Sequence, residues 1–286
     1  MNIFASWPVL VAISVVTYAV SVLLQKVILR HDKSNPVAFA IVFQTLVGVV
    51  IAIAALFHGF VMPDLAKYWS NMSVMVVLYG AGNIIIFNSL KLVDASTFTI
   101  LFASRAFWTI VGALLFLGEH YTWARLVGAV LIVISIVLVS WKKRKLEFGK
   151  GELLGLLAGL VFGVAFVNDA FIVQNSDVLS YEALAFLLPT LAILLAQPRS
   201  VKHIPHLLKG SFLTKLLVLS ILYGVSAVTV FMAYKVGRNA SQIAPLVQTT
   251  TIVTVVLSIV FLKEKTALLR KSFGAAISFI GVVLVG

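Results

Sequence analysis

The chain contains no cysteine, so disulfide staples, thiolate nucleophiles and thiolate metal sites are all excluded. Charge is scarce as well: 11% of the 286 residues are Asp, Glu, Lys or Arg, against 61% hydrophobic residues. A water-soluble domain of this length has too little interior to hide so many apolar side chains. Acids are the scarcest charges, 10 against 22 Lys and Arg. No Gly-rich loop leading into Lys-Ser or Lys-Thr is present, which removes the usual phosphate cradle of an ATP-driven pump. His31, His58, His120, His203 and His206 fall in loops or at the ends of apolar runs, without metal-ligand spacing. No Ser/His or paired-carboxylate arrangement sits within such a run. An enzyme, a metal centre and a bound cofactor are therefore not expected.

What the chain does have is long apolar runs from end to end. About 20 apolar residues cross roughly 30 Å of hydrocarbon as a helix, and only helices or closed barrels satisfy their backbone there. Ten spans are predicted: 6–29, 36–58, 70–91, 94–118, 122–141, 151–174, 180–196, 212–235, 240–262 and 266–285. The first reads as a span rather than a cleaved signal, having no basic residue ahead of it and no small-residue cleavage site. The connections are short, so any function must lie within the bilayer-embedded body. The net charge of +12 is distributed unevenly over these connections. The odd-numbered connections hold 17 Lys and Arg and the even-numbered ones four, with Arg105 the one that remains. Basic loops face the cytoplasm and its anionic headgroups, so the bias reads as membrane contact and not as nucleic-acid binding. It places the odd connections inside and both termini outside an inner (plasma) membrane.

The chain also repeats itself. LYGAGNIIIFNSLKLVDASTFTILF from Leu78 and LYGVSAVTVFMAYKVGRNASQIAPLV from Leu222 match at Tyr79/Tyr223, Gly80/Gly224, Phe87/Phe231 and Lys91/Lys235, an offset of 144. One residue later the offset is 145, pairing Ala95/Ala240, Ser96/Ser241, Phe116/Phe261, Glu119/Glu264 and Arg125/Arg270. Residues 1–145 and 146–286 thus read as two copies of five spans each. Five is odd, so the second copy enters the membrane from the opposite side. Such inverted repeats place a substrate site near the midplane, where the halves meet.

GALLFLGEHYTWARLVGAVLIVISIVLV and SIVFLKEKTALLRKSFGAAISFIGVVLV each end an apolar span in Glu, turn, and open the next span with Gly. This resembles the closing signature of the EamA-type repeat of the drug/metabolite transporter superfamily. The resemblance implies an all-α integral membrane fold, with ten transmembrane helices in two inverted five-helix repeats around a central cavity. It also implies transport, with export as the direction, but not which solute, because members carry amino acids, other metabolites or drugs. Many members hold both termini in the cytoplasm, whereas the loop charges here place them outside. Span 1 has no acidic residue, unlike the architecturally similar small multidrug-resistance proteins, which disfavours exchange of lipophilic cations for protons.

The polar residues within the spans supply the candidate site. A charge at the bilayer centre costs about 2.5–3.5 kcal/mol on insertion scales, so Arg105 must face the bundle interior, water or a counter-ion. Asp169 lies at a similar depth, and an Arg105–Asp169 ion pair is the first expectation. It serves either as a structural staple or as a site in which Arg105 takes a substrate anion and Asp169, beside Asn168, couples a proton. Gln44, Asn83, Asn88 and Gln248 are expected to line the cavity, and Trp108, Tyr18 and Tyr79 to wall it. Glu119 and Glu264 read as solvated carboxylates at helix ends, pairing with cations such as Arg125 or Lys265. Gly155, Gly159 and Gly163 recur every four residues, which lets another helix approach closely. Pro245 marks a candidate bend. The expected activity is secondary export, by alternating access, of a small organic metabolite, amino-acid-like or anionic. A multidrug exporter and a non-transporting membrane scaffold or lipid-handling protein are the alternatives. The partners expected are the solute and the lipid bilayer, with the chain a monomer or homodimer.

Overall fold

The computed structural model describes residues 6–30, 35–116, 122–142, 145–146, 148–173, 176–237, 246–247, 249–264 and 267–285. The first half contains α1 (Trp7–Leu29), α2 (Pro36–His58), α3 (Leu65–Leu92), α4 (Ala95–Phe102), α5 (Arg105–Phe116) and α6 (Trp123–Ser140). The second contains α7 (Lys150–Val173), α8 (Val178–Ala196), the short α9 (Ile204–Leu207), α10 (Gly210–Gly237), α11 (Thr249–Phe261) and α12 (Leu268–Val285). Between the halves, β1 (Trp141–Lys142) and β2 (Lys145–Leu146) form a small antiparallel ladder that the apolar pattern does not announce. A 3₁₀ turn over Pro198–His203 leads into α9.

Among the described residues, six helices are long and apolar enough to cross a membrane: α1, α2, α3, α7, α8 and the Gly210–Val230 part of α10. Leu126–Val139 and Thr249–Phe261 are shorter apolar helices. Local chemistry sets several boundaries. Asn35 Oδ1 accepts from the amides of Val37 and Ala38, both at 3.0 Å, and Pro36 starts α2 without forfeiting a bond. Asp64 accepts from the Lys67 amide, so α3 begins five residues before the expected span, in polar sequence that a hydropathy window rejects. The expected fourth span is broken at Ala103–Ser104 into α4 and α5, although neither glycine nor proline stands there. The break rests over Gly159 of α7: a Cβ at that position would lie 2.2 Å from Ser104 Oγ and 3.2 Å from the Arg105 amide.

Helix pairing between the halves is reciprocal. The first helix of one half lies along the third long helix of the other, α1 on α10 and α3 on α7. The second long helices pair with each other (α2 on α8), as do α4 with α11 and α6 with α12. A two-fold relation requires this pattern, because each contact must recur with the halves exchanged. The glycine stripe of α7 serves the close approach read from its spacing. Gly155 faces Ser89 and Leu101, Gly159 faces Ser104, and Gly163 faces Trp108 and the Arg105 carbonyl. Phe39, Phe43 and Phe87, all nearly inaccessible, form the aromatic centre of the α2–α3 core, with Phe39 and Phe87 edge to face at 4.7 Å.

Candidate functional site

Between the halves lies a chamber of about 220 Å³. Of the expected site residues, Arg105, Tyr18, Tyr79 and Asn83 line it, and Thr250, the repeat partner of Arg105, does so from the other half. The two halves present these residues alike: α5 opens at Arg105 and α11 at Thr249, within one residue of the repeat offset. Tyr79 and its repeat partner Tyr223 both reach the chamber. Tyr223 packs edge-on against Phe43 at 5.0 Å and lies 5.7 Å from Tyr18, so much of the wall is aromatic.

Arg105 does not meet Asp169. Its guanidinium stands over the rings of Phe102 and Phe166, at 4.8 and 5.3 Å, with no carboxylate partner among the described residues. The Asp169 carboxylate is occupied elsewhere: Tyr181 donates to Oδ1 at 2.6 Å and Tyr79 donates to Oδ2. The expected ion pair assumed one continuous fourth helix and an unoccupied carboxylate. The Ala103–Ser104 break and the two phenols remove both premises. Asp169 instead stands behind the wall, tied to the chamber through the Tyr79 side chain. Tyr181 is fully buried, so Tyr181→Phe is expected to lower stability by about 1–3 kcal/mol, read as a fall in the melting midpoint in detergent. Tyr79→Phe should cost less, because the chamber admits a replacement donor.

The remaining expected residues lie behind the wall or away from it. Gln44 is fully buried and accepts from Asn83 Nδ2 at 3.2 Å, so it orients Asn83. Asn88 donates to the Ile84 carbonyl of its own helix at 2.8 Å. Asn168 exchanges two hydrogen bonds with Asn71, at 2.9 and 3.0 Å, clamping α7 to α3. Trp108 packs edge-on against Phe107 and is not among the lining residues. Gln248, Pro245 and Glu119 lie outside the described residues.

Sequence reasoning passed over Glu182. Only two residues into the expected seventh span, it does not stand out as an intramembrane charge, yet it lines the chamber. The available signal was a carboxylate interrupting SYEALAFLLP where a span begins. Among the described residues it makes no hydrogen bond or ion pair. Arg105 and Glu182 are the two charged side chains of the described lining. No group of three potential metal ligands occurs among the described residues.

One helical turn beyond the chamber, at the end shared by the first, third and ninth connections, a charged cluster ties the halves together. Gln25 and Phe98 belong to the chamber; Lys26 and Asp94 belong to the cluster. Lys26 is 4% exposed and caps the end of α3, donating to the Leu90 carbonyl at 2.6 Å and to that of Val93. Lys271 pairs with Asp94. Glu264 is 3% exposed, not solvated as expected. Its carboxylate accepts from the Ala95 amide at 2.9 Å, the Ser96 amide at 3.1 Å and the Ser96 hydroxyl at 2.7 Å. Arg30 stands 3.8 Å away. The start of α4 offers unpaired amides and a positive dipole end, a better partner for a carboxylate than a mobile loop cation.

The EamA-like transporter family model matches residues 5–141 and again 149–286. A search of curated proteins finds no match. A solved structure described only as "Crystal structure of protein" superposes with a TM-score of 0.56 at 12% identity, covering 96% of this chain and 94% of that one. At that identity the likeness speaks for the fold alone.

Proposed function

Because the chain belongs to the EamA-like transporter family, multi-pass membrane transporters of the drug/metabolite transporter superfamily, we propose that it is a secondary exporter of a small organic metabolite. Ten spans, arranged as two inverted copies over 1–145 and 146–286, alternate between access from one face and from the other. The reciprocal helix pairing supports this arrangement, and the observation that carries the site is Arg105, a permanent cation facing the chamber without a carboxylate partner among the described residues. Guanidinium holds a carboxylate or phosphate through paired hydrogen bonds, which makes Arg105 the seat of the solute's anionic group. Asn83, oriented by Gln44, supplies a polar contact, and Tyr18 and Tyr79 form part of the wall. Tyr79 also relays the state of the chamber to Asp169. The chamber volume of about 220 Å³ favours a metabolite over a drug, whose pockets run from roughly 300 to 1,000 Å³. The membrane is the inner (plasma) membrane, with both termini outside; export as the direction rests on the family resemblance.

The absence of cysteine makes the natural chain a ready background for labelling. Ala227→Cys, in the chamber wall, should react with a membrane-impermeant maleimide from both faces, in right-side-out and in inverted vesicles. Phe60→Cys, in the second connection, should react from outside only, and Val201→Cys, in the seventh, from the cytoplasm only. Exchange of the last two patterns would invert the orientation and leave transport standing. Reaction of Ala227→Cys from a single face under every solute condition would sink alternating access.

A further inference from the structure

We propose that the chamber recognises a small zwitterion, one carboxylate and one ammonium group on a compact apolar body such as an α-amino acid, with Arg105 seating the carboxylate and Glu182 the ammonium. The inference rests on the transporter reading and decides between the amino-acid-like and the purely anionic solute.

Three observations carry it. Arg105 and Glu182 face the same chamber, and each lacks an ion-pair partner among the described residues. Arg105 stands over Phe102 and Phe166, and Phe186, one helical turn beyond Glu182, packs edge-on against Tyr223 at 5.8 Å, all within the same wall. Asp169, behind the wall, has both oxygens engaged by tyrosine hydroxyls and so does not compete for a cation. Burying an unpaired charge in a bilayer-embedded body is costly, and the chamber keeps two of opposite sign apart. A purely anionic solute would satisfy Arg105 but leave the Glu182 carboxyl without a partner. An amine would satisfy Glu182 and meet repulsion from Arg105. A zwitterion neutralises both at once, leaving no net charge in the filled chamber. The rest of the described wall carries no charge: Phe43, Phe98, Phe162 and Phe186 offer ring faces and edges, between polar groups such as Gln25, Asn83 and Thr250. An aliphatic or aromatic side chain fits the ring-lined part of that surface.

The test uses purified full-length protein and three probes of one shape: L-phenylalanine, 3-phenylpropionate, which lacks the ammonium, and phenethylamine, which lacks the carboxylate. The expected result is that calorimetry gives phenylalanine at least tenfold tighter binding than either relative. Glu182→Gln should abolish the preference over phenylpropionate, and Arg105→Gln the preference over phenethylamine. The ranking on the unaltered protein needs no variant to fold. Phenylpropionate binding the unaltered protein as tightly as phenylalanine, an unchanged preference in folded Glu182→Gln, or binding of none of the probes would each overturn the proposal. Counterflow in proteoliposomes separates the two readings. A bound zwitterion that is never exchanged across the bilayer refutes transport and keeps the site. Exchange of phenylpropionate in preference to phenylalanine keeps transport and refutes the site.

Discussion

Glu264→Ala should be among the most disruptive single substitutions in the chain, lowering stability by about 3–5 kcal/mol, the usual cost of removing one partner from a buried charged cluster. Three donors converge on this carboxylate, two of them amides at the start of α4 that have no intrahelical partner. Alanine would leave those amides and the Ser96 hydroxyl buried and unmet. It would also strip a negative charge from beside Arg30, near the Lys271–Asp94 pair and Lys26. Glu264→Gln keeps the shape and one acceptor oxygen but loses the charge, so its loss should be roughly half as large, on the scale of one charged hydrogen bond at about 1.5–3 kcal/mol. Melting in detergent reads the stability. Because the cluster joins α4 of one half to the approach to α12 of the other, Ala227→Cys in the same background should also label faster from the cytoplasmic face. A melting midpoint within a degree of the unaltered protein would show that Glu264 is dispensable.

Gly163→Val should separate α5 from α7 and disable the chamber. A Cβ there would stand 2.5 Å from Trp108 Cβ and 2.8 Å from the Arg105 carbonyl. The second neighbour is backbone and cannot rotate away, so α5 must translate and carry Arg105 with it. Overpacking of this kind costs about 1–3 kcal/mol, and valine, with two further methyl groups, belongs at the upper end. Transport should fall at least tenfold, because the guanidinium is displaced as well. Gly159→Ala is the informative contrast. Its closest neighbour is the Ser104 hydroxyl, a terminal atom that can turn aside. Near-normal transport in Gly159→Ala beside inactive Gly163→Val would locate the sensitivity at the Arg105 backbone. Equal transport in both would refute that account.

These two sites also mark what was readable in the sequence. The extent of the apolar helices was legible because span length is set by the bilayer: α2 occupies the expected residues, and α1 and α8 come within two of them. The glycine stripe was legible because a four-residue period keeps small side chains on one helix face. The α4–α5 break was not, since it arises from contact with Gly159 of a distant helix rather than from any local breaker. Without the break Arg105 seemed due to meet Asp169, and the two tyrosines that take that carboxylate come from separate helices. Glu264 read as a solvated carboxylate at a helix end, and Glu182, two residues into its span, drew no reading. Position along a helix says how close a side chain is to water only when nothing else packs over that end. For Glu264 the other half of the chain does so, and for Glu182 the chamber wall reaches farther than the hydropathy profile.

The reciprocal pairing of helices bears on how the chain is made. α1 leaves the ribosome well before α10, its most extensive neighbour. α3 likewise waits for α7, and α6 for the final helix. Neither half can complete its packing during its own insertion, so the early helices must stay in the bilayer, or with the insertion machinery, until their partners in the second half are made.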